Sequence, residues 1–125
     1  MTLNKIRLEL ARDKEHPEGS SRHGYEFVGP LDADGHLDPA AWKKNRERCR
    51  VKRFWLHEPD ELGHLVRKRG GQWAFHYDGD EDEDEGGYRF GNHKFTVGEY
   101  VSIREHDDDV MRTFRVVRVE SLPQA

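Results

Sequence analysis

Between Lys43 and Arg53 the run KKNRERCRVKR sets seven basic side chains against one acid, and Trp42, Phe54 and Trp55 flank it. Cationic groups neutralise phosphates and flat rings stack on unpaired bases, so this pattern carries the chemistry of a site for single-stranded nucleic acid or an acidic protein partner. Its candidate contacts are Lys43, Lys44, Arg46, Arg48, Arg50, Lys52, Arg53 and Trp55. The competing reading is a solvated helix face and strand edge whose rings belong to the core, and the formal charge of −4 favours it.

The opposite charge gathers in Asp78 to Glu85, with seven carboxylates in eight positions before Gly86 and Gly87. Such a run should be a solvated, mobile connection. It could also fold over the basic run and screen it until a partner competes it off. Asp78, Asp80, Asp82 and Asp84 alternate and offer the carboxylate oxygens that Ca²⁺ takes, yet no glycine follows the third acid and Arg89 stands where an EF-hand needs its glutamate.

Eight histidines raise the question of a transition metal. No His-Glu-x-x-His run exists, one cysteine cannot build a zinc knuckle, and His64 and His76 are expected on opposite faces of a hairpin. His23, His93 and His106 could converge from separate loops, but a role in turns and on the surface is the simpler expectation. No metal and no cofactor are expected. Cys49 sits between Arg48 and Arg50, which would favour a thiolate, against the alternative of an inert buried thiol. Ser20, Ser21, Ser102 and Ser121 lack the context of a nucleophile elbow, and no Gly-rich phosphate loop occurs. An enzyme would have to reveal itself as a deep pocket with convergent polar groups of perturbed pKa.

The elements that must position these groups are mainly strands. Ile6, Leu8 and Leu10 alternate with charged residues and mark a strand over 5–11, followed by an apolar-free loop over 13–24. Tyr25 and Phe27 belong to a second strand ending at Gly29 and Pro30. Asp38 before Pro39 is a helix start, predicting a helix over Pro39 to Arg48 that plugs one end of a β structure through Trp42. CRVKRFWL follows as a strand with Val51 inward and either Phe54 or Trp55 inward, depending on whether it bulges.

Residues 63–78 form a hairpin around Gly70 and Gly71, whose two-residue turn pairs His64 with Tyr77, Val66 with Phe75 and Lys68 with Trp73. The ring-bearing face should be core. A second mobile segment is expected over 78–87, then a short strand through Tyr88 and Phe90 and a turn near Gly91 to His93. The final hairpin, Phe95 to Leu122, turns at Asp107, Asp108 and Asp109 and pairs Ile103 with Phe114 and Val101 with Val116. Its other face carries Tyr100, Ser102, Arg115 and Val117, too polar for deep core and too apolar for a plain solvated surface, hence a candidate groove or subunit contact.

At 125 residues the chain is one domain's worth, 1–125. Charged residues, at 37%, outnumber hydrophobic ones at 34%, but the alternating placement of 3 Trp, 4 Tyr and 6 Phe argues for a packed fold. One cysteine allows no intrachain disulfide and suits a reducing compartment. No leader-like or membrane-spanning apolar run occurs, so a cytoplasmic protein away from the membrane is expected.

The runs GYEFVGPLD, LDPAAWKKNRERCRV, WAFHYD and YRFGNHKFTVGEYVSI resemble a group of small bacterial proteins of about this length. No activity attaches to that group, so the resemblance transfers no functional residue. The GEYVSI segment is also similar to strand openings in SH3-like barrels, which bind proteins or nucleic acids. Together these features predict a mainly β chain of about seven antiparallel strands and one short helix, curled into a small barrel. Its expected role is that of a noncatalytic binding or interaction module. Single-stranded nucleic-acid binding through 42–55 and a small enzyme are the alternatives.

Overall fold

The computed structural model describes residues 2–78, 85–88, 93–104 and 110–123. Eight strands follow one another as an antiparallel meander and close on themselves: β1 (Thr2–Leu10), β2 (Ser20–Leu31), β3 (Arg50–Trp55), β4 (Glu58–Arg67), β5 (Trp73–Tyr77), β6 (Glu85–Tyr88), β7 (Tyr100–Arg104) and β8 (Met111–Ser121). The seam joins β1 to β8 through Ile6↔Val119, Leu8↔Val116 and Leu10↔Phe114, with a shift between Arg7 and Leu8. Among the described residues, each strand is hydrogen-bonded to a neighbour on both sides, as closure requires.

Alternation decides what lies inside. Ile6, Leu8, Tyr25, Phe27, Val51, Phe75, Val101, Ile103, Phe114 and Val116 are all buried. Ring pairs cross the interior, with Tyr25 5.3 Å from Phe75 and 5.1 Å from Phe114, and Phe27 5.2 Å from Phe75. Each such side chain contributes about 1.5–3 kcal/mol through burial.

One end is plugged as expected. Asp38 accepts from the Ala41 N–H at 3.2 Å and starts α1 (Pro39–Lys44), and Trp42 donates its Nε1–H to the Leu65 carbonyl at 2.9 Å, edge-on to Trp73. The single helix expected to Arg48 is instead two pieces, α1 and a 3₁₀ turn over Arg46–Arg48. Asn45 causes the break: its side-chain amide takes the Ala41 carbonyl at 2.8 Å, while its backbone N–H goes to Trp42, one residue short of the α-helical partner.

Both predicted hairpin registers need correction. In β7 and β8 the partners are Val101↔Phe114 and Ile103↔Arg112, two residues from the expected pairing. A shift of two preserves the faces, so the four predicted inward residues are still inward. In β4 and β5 the partners are Leu65↔Phe75, Val66↔Ala74 and Arg67↔Trp73, a shift of one. Trp73, Phe75 and Tyr77 remain buried, but Leu65 faces them in place of Val66. The turn is responsible: Lys68 N–H bonds to the Gln72 carbonyl at 2.7 Å, giving a three-residue loop in which Gly70 and Gly71 both adopt positive φ.

Three other boundaries differ. The 13–24 segment is shorter as a loop because β2 begins at Ser20, and β2 runs through Gly29 and Pro30 to Leu31. The strand expected through Tyr88 and Phe90 begins earlier, at Glu85 within the expected 78–87 connection, as β6 paired with β5 and β7. Residues 79–84, Phe90, Gly91 and Asn92 of the expected strand and turn, and the Asp107 to Asp109 turn lie outside the described residues.

Candidate binding groove and the polar barrel mouth

The outer face of the last hairpin forms one wall of a concavity of about 880 Å³. Tyr100, Thr113, Arg115 and Val117 line it from β7 and β8; Glu9 to Arg12 and Glu18 to Ser21 complete it. The opening exists because the β1–β2 ladder shifts between Glu9 and Leu10, so Glu9 faces Gly24 while Leu10 faces Ser20. Gly19, at φ 78°, brings the chain back close to the Leu10 carbonyl, where a Cβ would stand 2.7 Å from that oxygen. Three of the four residues expected at a groove, Tyr100, Arg115 and Val117, line it, and Tyr100 is 56% exposed. Ser102 shares their face but lies outside the lining, with its Oγ 3.3 Å from Thr113 Oγ1.

Charge in the groove is unevenly committed. Glu9 is held by Arg7 Nε at 2.7 Å. Neither Arg12 nor Arg115 forms an ion pair or side-chain hydrogen bond among the described residues. Glu18 is the one other acid on the wall among the described residues.

Behind the groove, the end of the barrel opposite α1 is polar inside. Arg53, only 5% exposed at its side chain, reaches Glu58 and Glu61 at 3.4 Å each. Its guanidinium carbon lies 4.4 Å from the centre of the Trp55 ring, and that of Arg112 lies 5.6 Å from it. Arg112 also contacts Asp13 at 3.4 Å. His23 meets Trp55 edge-on at 4.6 Å and His16 at 4.8 Å, and its Nδ1 stands 2.6 Å from Ser20 Oγ. Burial pushes His23 below the ordinary histidine range; His16, Arg112 and Arg53 push the same way and Glu58 opposes. This neutral imidazole against a hydroxyl went unseen in the sequence. Carrying the Tyr25 and Phe27 parity back to His23, and the Val51 parity forward to Arg53 and Trp55, would have found the cluster.

The basic run does not form one surface. Lys43, Lys44, Arg46, Arg48 and Arg50 are exposed, Lys52 is half-buried 4.0 Å from Glu26, and Arg53 and Trp55 turn inward. Trp55 is the inward ring of β3, and Phe54 lies outside beneath the Arg7 guanidinium at 4.3 Å. The extra residue of the β3–β4 ladder sits in β4, between Arg53↔Glu61 and Trp55↔Glu58. Trp42 is committed to the plug and carries Arg46 over its ring at 5.0 Å.

Cys49 is fully buried, which pushes its thiol up to about 11 despite Arg48, so the thiolate alternative is overturned. His64 and His76 are direct ladder partners on one face, correcting the expectation of opposite faces. His106 and most of the acidic run lie outside the described residues; Asp78 contacts Arg50 and His64 at 3.8 Å each. Asp32, Asp34 and His36 bring ligand atoms within 4.8 Å of one another, but Asp32 Oδ1 already accepts the Asp34 and His36 N–H groups that close this turn.

No helix among the described residues is long and apolar enough to cross a membrane. No protein-family model, curated protein or solved structure matches the chain.

Proposed function

We propose that the protein is a binding module and that its site is the groove between the β7–β8 outer face and the 9–12 and 18–21 segments. One observation supports this most directly: an exposed tyrosine ring, Tyr100, and two arginines without ion pairs among the described residues, Arg12 and Arg115, line the same concavity. A flat ring packs on tyrosine and a carboxylate or phosphate pairs with guanidinium groups, so the matching ligand is a small molecule with one ring and one anionic group. Glu18 offers an acceptor for a donor on that ligand. The nucleic-acid reading loses its continuous surface, because Arg53 is buried, Trp55 is half-buried against the core and Trp42 is pinned.

Calorimetric titration with benzoate, benzamide and acetate separates ring from charge. Saturable binding of benzoate, at least about tenfold weaker for benzamide and acetate and in Arg115→Ala, is expected. Equal affinities for benzoate and benzamide would contradict the assignment.

A further inference from the structure

Ser20 sits at the rim of the groove, and its hydroxyl lies 2.6 Å from His23 Nδ1. Arg22 N–H donates to Ser20 Oγ at 3.2 Å, which leaves that oxygen one lone pair and its own hydrogen for Nδ1. In the tautomer with its proton on Nε2, the imidazole accepts the Ser20 hydrogen. Its ring is held in place by the Trp55 edge at 4.6 Å and by His16 at 4.8 Å. Burial keeps it neutral at pH 7, the state a base requires. A hydroxyl 2.6 Å from a neutral imidazole, on a residue that lines the concavity, is the arrangement from which an activated nucleophile is built.

We propose that Ser20 is a nucleophile with His23 as its base, and that the groove accepts small ring-bearing esters for acyl transfer. The proposal rests on the groove being the ligand site. Ser20 Oγ attacks the ester carbonyl carbon, and its proton passes to His23 Nδ1. The C–O bond to the leaving alcohol breaks, and His23 returns the proton to that alkoxide. Water then attacks the acyl-serine by the same proton path, releasing the carboxylic acid and restoring Ser20. Arg12 and Arg115, on the same concavity and without an ion pair among the described residues, are the groove cations available to the developing oxyanion. Ser21 also lines the groove but has no such imidazole partner, which makes it the internal control.

The test is labelling of the full chain with a fluorophosphonate, which forms an Oγ–P bond and releases fluoride, followed by peptide mass mapping. The expected result is an adduct on Ser20 and none on Ser21, lost in Ser20→Ala and slowed at least about 100-fold in His23→Gln. The labelling rate should rise with pH through the titration of His23, which burial with His16, Arg112 and Arg53 sets below the ordinary histidine range against Glu58, and then level off. Benzoate binding, measured on the same samples, reports separately on the groove and on folding of the variants. An unlabelled Ser20 in a protein that still binds benzoate overturns the nucleophile and leaves the groove standing. Equal labelling of Ser20 and Ser21, or a His23→Gln variant labelled at the wild-type rate, overturns it as well.

Discussion

The Arg53 guanidinium carbon lies 4.4 Å from the centre of the Trp55 ring, inside the barrel. The last residue of the basic run thereby leaves the surface, and with the half-buried Trp55 it organises the polar end of the interior. Arg53 stacks on Trp55 and reaches Glu58 and Glu61 across the β3–β4 ladder.

Arg53→Ala should destabilise the barrel by about 2–4 kcal/mol, from the charged hydrogen bonds and ring contact it loses. Arg53→Met keeps the volume and removes the charge, and should cost less than the alanine variant. Glu58→Gln and Glu61→Gln should each cost about 1 kcal/mol or less, because both carboxylates reach solvent. Urea melts of the four variants check the ranking.

The one-residue correction in the β4–β5 hairpin predicts opposite outcomes for neighbouring residues. Leu65, 1% exposed opposite Phe75, should lose about 2–5 kcal/mol on change to alanine. Val66, half-buried on the outer side, should lose about 1 kcal/mol or less. Reversed sensitivities would restore the register expected from a two-residue turn.

Stability should depend on pH through His23. Its folded pKa is depressed, so below the unfolded value of about 6.5 the unfolded chain binds more protons than the native one. The contribution is therefore fully present above that value and is lost as pH falls through the folded pKa. One proton limits the slope to about 1.4 kcal/mol per pH unit. Denaturant midpoints of wild type and His23→Gln, compared between pH 7 and 5, should converge on the acid side; a constant gap between them would speak against a buried neutral His23.

Cys49 should be inert in the folded protein. With its thiol pushed up to about 11, the thiolate at pH 8 is about 100-fold scarcer than for the ordinary thiol, and burial blocks access further. Alkylation by iodoacetamide should therefore await urea. Rapid alkylation of the native chain would show an accessible thiol.

Hydrophobic alternation made the fold class legible, because parity survives most errors of detail. Val101, Ile103, Phe114 and Val116 point inward whether the hairpin pairs as expected or two residues away. Turn length is less visible: a glycine pair permits both two- and three-residue loops, and one extra residue moved Leu65 inward and Val66 out. The groove was legible only as an oddly mixed face around Tyr100 and Arg115. Its opposite wall depends on the Glu9/Leu10 shift, and Arg12, Ser20 and His23 lie in a stretch whose polar composition signals a loop before anything else. Arg53 was hidden for a different reason. A charge in an alternating strand ordinarily marks the solvent side, and only a closed barrel with a polar mouth reverses that.

The groove assignment is tested most directly by amide shift mapping during a benzoate titration of the isotopically labelled chain. Perturbations are predicted to cluster at 9–12, 18–21, Tyr100 and 113–117, the segments lining the concavity. Perturbations confined to 43–50, where the exposed cations of the basic run lie, would contradict it.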